Sequence, residues 1–263
     1  QDYNDKFDIK VDHQFSSSTS AWVRYSHREV DNFEPSSIPG DIGSPSNASV
    51  YVINRQAAGE LTHTLNPHSL LDVRFRVSPG EAGKSAPGTG GPTMLDLYGI
   101  TGLPTDSRFA GGTTNQNVTG WTAWGRQNSN PQFQDPFVVN GRVNFTRLLG
   151  RHSLKMGYEY QAINTEIDDF NPKYGNDSYS GQFSRPAGAA ANPAIYNLAD
   201  FMFGARSSYA LVNPFIANLR QRMHFGYIQD DFRVNEKLTL NLGLRYEYAT
   251  PQWEEDNFLT SFD

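Results

Sequence analysis

The chain has 263 residues, with 22 Lys and Arg against 28 Asp and Glu for a formal charge of −6, so it lacks the basic footprint of a nucleic-acid-binding protein. It has no cysteine, which excludes disulfide scaffolds, thiolate zinc sites and cysteine nucleophiles. No stretch approaches the roughly 18 uncharged apolar residues of a membrane helix, and Gln1 opens no signal-peptide pattern; a membrane β-barrel stays open, because alternating strands average out as hydrophilic.

Period-two alternation dominates and comes in pairs. The first pair is residues 6–14, with Phe7, Ile9 and Val11 opposite Asp8, Lys10 and Asp12, and residues 21–28, with Ala21, Val23 and Tyr25 opposite Arg24, Ser26 and Arg28. The second hairpin spans 50–77 and turns at Asn66-Pro67-His68, with Leu71, Val73 and Phe75 against Asp72, Arg74 and Arg76. The third spans 137–164 around Gly150. Val139, Val143 and Phe145 face away from Asn140, Arg142 and Asn144, and Leu154, Met156, Tyr158 and Tyr160 away from Lys155, Glu159 and Gln161. The fourth spans 222–248. Leu240, Leu242, Leu244, Tyr246 and Tyr248 make one stripe, and Asn241, Arg245 and Glu247 the other.

Connections within pairs are short, whereas those between pairs, 29–49, 78–136 and 165–221, are long and all leave one end of the sheet. A short helix is expected near 194–204. Loops of such length count against a compact soluble domain. Short periplasmic turns and long extracellular loops are the rule in outer-membrane barrels. Eleven residues at about 3.3 Å each, tilted by about 45°, span roughly 25 Å, the height of a barrel's apolar band. The tyrosines Tyr25, Tyr158, Tyr160, Tyr246 and Tyr248 lie toward the long-loop ends, where an aromatic girdle belongs.

The expected fold is therefore all-β, an antiparallel up-and-down transmembrane barrel segment of about eight strands. The competing fold is a soluble β-sandwich, which has shorter strands and loops. In a barrel the polar stripes line the lumen, which assigns Arg74, Arg76, Asn140, Arg142, Asn144, Lys155, Glu159, Arg245 and Glu247 to its wall. With periplasmic turns inside the pairs, both chain ends fall on the extracellular side. Barrels normally start and finish in the periplasm, so residues 1–263 are expected to be part of a larger wall.

The segment FGYIQDDFRVNEKLTLNLGLRYEYATPQWEEDN (225–257), with GRHSLKMGYEYQ (150–161) and NLADFMFGARSSYALVNP (197–214), resembles the barrel of TonB-dependent outer-membrane transporters, particularly the Oar-like group. The resemblance implies a 22-stranded barrel in the bacterial outer membrane, filled by an N-terminal plug and energised through the TonB complex. No position here matches the plug, the TonB-contacting segment or a terminal aromatic strand, so none of the family's energy-coupling residues can be assigned.

Other chemistry is sparse. His63 and His68 flank a wet turn, Asp168-Asp169, Asp230-Asp231 and Glu254-Glu255-Asp256 lack calcium-loop spacing, and Gly88, Gly90 and Gly91 neither follow a strand nor open a helix. No catalytic constellation and no cofactor is expected. Trp121, Trp124, Tyr174 and Tyr179 in the long loops, with Trp253, suit stacking on a ligand, and loop self-packing suits them equally. The expected partners are outer-membrane lipid, the TonB complex through a plug, and an unidentified transported ligand. The alternative functions are a non-transporting adhesin-like barrel and a soluble β-rich binding module.

Overall fold

The computed structural model describes residues 2–36, 38–39, 43, 49–190 and 193–259. In chain order the elements are β1 (Asp2–Ser16), β2 (Thr19–Phe33), β3 (Ser49–Asn66), β4 (Ser69–Ser85), α1 (Met94–Tyr98), β5 (Asn115–Val118) and β6 (Gln132–Leu149), followed by β7 (His152–Asp168), β8 (Asn176–Tyr179), α2 (Ala194–Met202), β9 (Ser208–Ala210), β10 (Ala217–Arg233), β11 (Thr239–Ala249) and β12 (Trp253–Glu254). One antiparallel sheet in the order β1-β2-β3-β4-β6-β7-β10-β11 holds the four hairpins, and β12 returns to pair with the outer end of β10. The sheet is an open up-and-down meander.

Each long strand alternates, and the register stacks like upon like. One rung runs Val11, Val23, Gly59, Phe75, Gly141, Tyr160, His224 and Tyr248 across all eight strands. Its neighbour on the other face runs Asp12, Trp22, Glu60, Arg74, Arg142, Glu159, Phe225 and Glu247. Since a slip of one residue would exchange the faces, this two-sided pattern fixes the register.

The apolar face has no protein cover. Leu244 is 72% exposed, Val23 60%, Ile9 58% and Leu242 58%, values no sandwich core tolerates. The soluble sandwich is thereby excluded.

The strands outrun the alternation at their long-loop ends. β4 continues through Ser85, β6 begins at Gln132, β7 reaches Asp168 and β10 begins at Ala217, so the expected loops 78–136 and 165–221 contract to 86–131 and 169–216. The expected loop 29–49 contracts likewise, and its residues 37, 40–42 and 44–48 lie outside the described residues. In these extensions Glu29, Glu81, Asp135 and Glu166 occupy the face that is apolar lower down, so no alternation survives. Pro79 and Pro136 sit inside strands. The tyrosine positions shift in consequence: Tyr25, Tyr158 and Tyr160 lie at mid-strand rather than near strand ends.

The two longest loops build a layer of their own, which periodicity did not foretell beyond α2. β5 pairs in parallel with β8, and β8 antiparallel with β9. Thr93 and Asp96 form a capping box on α1. The only apolar cluster of buried residues among those described is here: Met94, Ala110 and Tyr174, with Leu103 against them. Gly125 bends the chain into this layer at φ +87°, where an added Cβ would stand 2.0 Å from the Thr114 carbonyl oxygen. Gly125→Ala should therefore loosen the layer while leaving the large sheet intact. The expected readout is severalfold faster tryptic cleavage after the adjacent, buried Arg126, with unchanged far-ultraviolet circular dichroism.

Candidate functional site

All nine residues assigned to a lumen wall fall on one face of the large sheet, because they share its alternation and register. Arg74, Arg142, Glu159 and Glu247 occupy one rung; Asn144 and Arg245 lie on the next; Arg76 with Asn140, and Lys155, lie on flanking ones. The face is wired by cross-strand polar contacts. Arg74 pairs with Glu60, which also accepts from Trp22 Nε1 at 3.1 Å. Asn140 Nδ2 donates to Glu159 at 2.7 Å, Lys155 pairs with Asp231 at 3.5 Å, and Arg245 pairs with Glu247 along its own strand.

Asn144 is the hub. Its Nδ2 donates to Asp72 at 3.1 Å, and its Oδ1 accepts from the Tyr227 hydroxyl at 3.1 Å. Tyr227 reaches it by crossing Gly157, where a Cβ would lie 2.4 Å from the tyrosine ring. Arg76 and Arg142 make no hydrogen bond or ion pair among the described residues, and the Nε of each is buried and unsatisfied. Trp22, Glu60 and Tyr227 escaped the sequence assignment, whereas Asp72 already stood on the polar stripe. Trp22 and Tyr227 carried a legible signal, since each is an aromatic residue at polar parity.

The loop aromatics sort differently. Tyr174 is fully buried, accepts the Met94 backbone N–H at 3.1 Å and carries the Arg126 guanidinium 4.8 Å above its ring. Tyr179 is buried, donates to Gln116 Oε1 at 3.2 Å and packs edge-on against Phe201 at 5.2 Å. Trp124 packs on the same Phe201 at 5.7 Å. Only Trp121 of the four is exposed, its indole N–H held by the Ala194 carbonyl at 3.1 Å.

Buried charge ties the layer together. Burial lowers the Arg126 guanidinium to about 10, and its Nη atoms donate to the Gly111 and Asn130 carbonyls at 2.7 and 2.6 Å. Burial works to raise Asp200, but the Ser184 hydroxyl and the Phe183, Ser184 and Gln182 backbone N–H groups outweigh it and hold the carboxyl below its ordinary value. Asp177 gathers Arg206 at 2.9 Å and Gln116 at 2.8 Å. No group of three or more metal-ligating side chains occurs among the described residues.

A family model described as an outer membrane beta barrel domain matches residues 1–263. The chain is an outer-membrane β-barrel domain. No curated protein matches it. Two solved structures share the fold. One is FpvA of P. aeruginosa in complex with a heterologous pyoverdine and iron, with TM-score 0.50 and 12% identity over 97% of this chain and 32% of that one. The other is Fiu, the ferric-catecholate import receptor of E. coli K12, with TM-score 0.50 and 15% identity over 94% of this chain and 34% of that one. The chain thus spans about a third of either structure.

For a barrel domain of the outer membrane the bare apolar face has a ready cover, since lipid tails meet it. The acidic extensions then stand above the hydrocarbon, whereas Tyr158, directly opposite Val143, lies well below them within the apolar band. Val143→Arg, within this band, should cost about 2–4 kcal/mol of stability in lipid, whereas Gln56→Arg on the opposite face should cost under about 1 kcal/mol. Urea titration in liposomes, followed by gel mobility of the folded form, measures both. Because the Asp200 carboxyl is held low, its contribution is full above the ordinary carboxylate range and is lost as pH falls through the depressed value. Hydrogen-exchange protection of the Phe183 and Ser184 amides should fall in that acid window, and Asp200→Asn should abolish the dependence.

Proposed function

We propose that this domain is one arc of the barrel of a TonB-dependent active transporter that takes up a large or scarce solute. The carrying observation is the two-faced sheet: a lipid-facing band on one side and, on the other, a hydrogen-bonded polar wall in which Arg76 and Arg142 keep uncommitted guanidinium groups. In the closed barrel that wall is the lumen, and Arg74, Arg76, Asn140, Arg142, Asn144, Lys155, Glu159, Arg245 and Glu247 line it.

Arginines left without carboxylates suit contact with an occupant of the lumen, because a guanidinium offers several donors in a fixed plane. A plug domain from elsewhere in the protein supplies that contact and reaches the TonB complex. The resemblance of residues 150–257 to Oar-like barrels supports this assignment, as does the fold shared with an import receptor. Substrate is captured by the exposed surface of the loop layer, to which Trp121, alone of Trp121, Trp124, Tyr174 and Tyr179, presents an exposed ring. No step of this function asks for covalent chemistry.

The test is made in cells of the source bacterium. Accumulation of the transported solute, found by comparing uptake of a solute panel in parent and deletion strains, should fall to the same low level when the protein is deleted and when TonB is depleted. Uptake that survives TonB depletion defeats the proposal. Arg76→Ala/Arg142→Ala should lower uptake severalfold without lowering the amount of folded protein in the outer membrane.

A further inference from the structure

The polar face of the sheet is not evenly charged. Toward the hairpin turns its cations meet carboxylates, as Arg74 meets Glu60 and Lys155 meets Asp231. Nearer the long loops, a hollow of about 430 Å³ opens on this face over β1 to β4, a volume within the range of small-molecule sites. It exists because the residues at its centre are small. Ser26, Ser78 and Gly80 line it, and a Cβ on Gly80 would press on the Pro136 ring at 3.0 Å. Register sets Lys6 directly opposite Arg28, and Arg28 opposite Asn54, so these side chains border the hollow from a single face.

The charges of the lining decide what fits. Three cations of this face, Lys6, Arg24 and Arg28, stand against one carboxylate, Asp8. Asp8 is already committed: Arg24 holds it at 2.7 Å, Ser26 donates to the same oxygen, and Lys6 acts on it through space without contact. Lys6 and Arg28 make no hydrogen bond or ion pair among the described residues. Two like charges directly opposite each other repel. The nearby carboxylates turn away, since Asp5, Glu29 and Glu81 share the other face of the sheet. His27 and Arg55, which also border the hollow, point to that other face, where they lie 3.6 Å from Glu29 and 3.4 Å from Glu81. Ser78 accepts from Gln56 Nε2 at 3.3 Å and keeps its own hydroxyl proton to donate. A cationic ligand would meet three cations here, and a neutral one would leave the repulsion between Lys6 and Arg28 in place.

We propose that this hollow binds an oxyanion carrying at least two negative charges, a carboxylate or phosphate cluster held between Lys6 and Arg28 with the Ser78 hydroxyl donating to it. The hollow lies level with Glu29 and Glu81, which stand above the hydrocarbon, so it opens at the extracellular mouth of the lumen. The inference rests on the transport reading in one respect, that the oxyanion belongs to the imported solute; binding itself does not depend on that reading.

The test uses the intact outer-membrane protein in detergent at fixed ionic strength, with citrate and pyrophosphate as probes and trimethyl citrate as the neutral counterpart. Calorimetry should find binding of citrate, pyrophosphate or both and none of the ester, and the anion that binds distinguishes a carboxylate ligand from a phosphate one. Affinity should fall about tenfold in Arg28→Gln, the loss expected of one charge-assisted hydrogen bond, and severalfold in Lys6→Gln. Arg55→Gln, which removes the same charge from the opposite face, should change it less than about twofold, as screening by salt and water predicts. The saturating anion should also slow acylation of Lys6 severalfold and leave Lys237 unchanged, read by peptide mass spectrometry. Absence of binding by both anions overturns the inference, as does equal binding of the ester or an unchanged affinity in Arg28→Gln. Uptake that survives TonB depletion defeats the transport reading alone, and absent binding beside TonB-dependent uptake defeats this inference alone.

Discussion

The structure depends on one constraint: inside hydrocarbon, a backbone N–H or C=O without a partner costs several kcal/mol, so a spanning sheet must pair every strand with its neighbours. The interior strands from β2 to β10 have a partner on both sides, with one register irregularity in β3 between Thr64 and Asn66, beside its turn. The two-sided composition follows. Once the backbone is paired, the side chains alone choose between lipid and water, and strict alternation delivers Val23, Phe75 and Val143 to one medium and Arg24, Arg74 and Arg142 to the other. β1 and β11 are the edges of this sheet, and in lipid each needs a further strand. That need is the physical ground for reading the domain as an arc of a larger barrel.

The polar face shows how such a wall holds charge without collapsing on itself. Arg74 and Arg142 are directly opposite, a repulsive pairing, but Glu60 flanks one and Glu159 the other along the same rung. Asn144 joins three strands through Asp72 on β4 and Tyr227 on β10, and the missing side chain of Gly157 is what lets Tyr227 pass over β7. These contacts stiffen the wall across strands, where hairpin turns give no support.

Legibility in the sequence tracks how strongly the environment differs between the two faces. Where one side meets lipid and the other water, as at Leu240, Leu242 and Leu244, alternation is plain and the strand was found. Where both sides meet water, as at Glu81 or Glu166, the same backbone ladder continues with no compositional trace. The loop layer was hidden for a further reason. Its interior is made of single residues far apart in sequence, such as Met94, Arg126 and Tyr174, held by carbonyls and ring faces that obey no period. Buried Lys173, Asp177 and Asp200 look in sequence like any solvated loop charge. The aromatic count of the loops was visible, but whether a given ring pointed inward was not: Tyr174 and Tyr179 went to the interior and Trp121 to the surface.

That division of the aromatics bears on how loops of this kind can work. A loop ordered only by its ligand must meet the conformational entropy of ordering out of binding free energy, at roughly 1–2 kcal/mol per residue fixed. Here the ordering is done in advance by buried contacts: the Arg126 guanidinium on Tyr174, the Asp200 carboxylate on two backbone amides, and the Asp177 cluster joining β5, β8 and Arg206. Tyr174 and Tyr179 thus hold the layer in shape, so that exposed groups keep fixed positions. A rigid cover of this sort favours recognition by preformed surface over closure around the ligand.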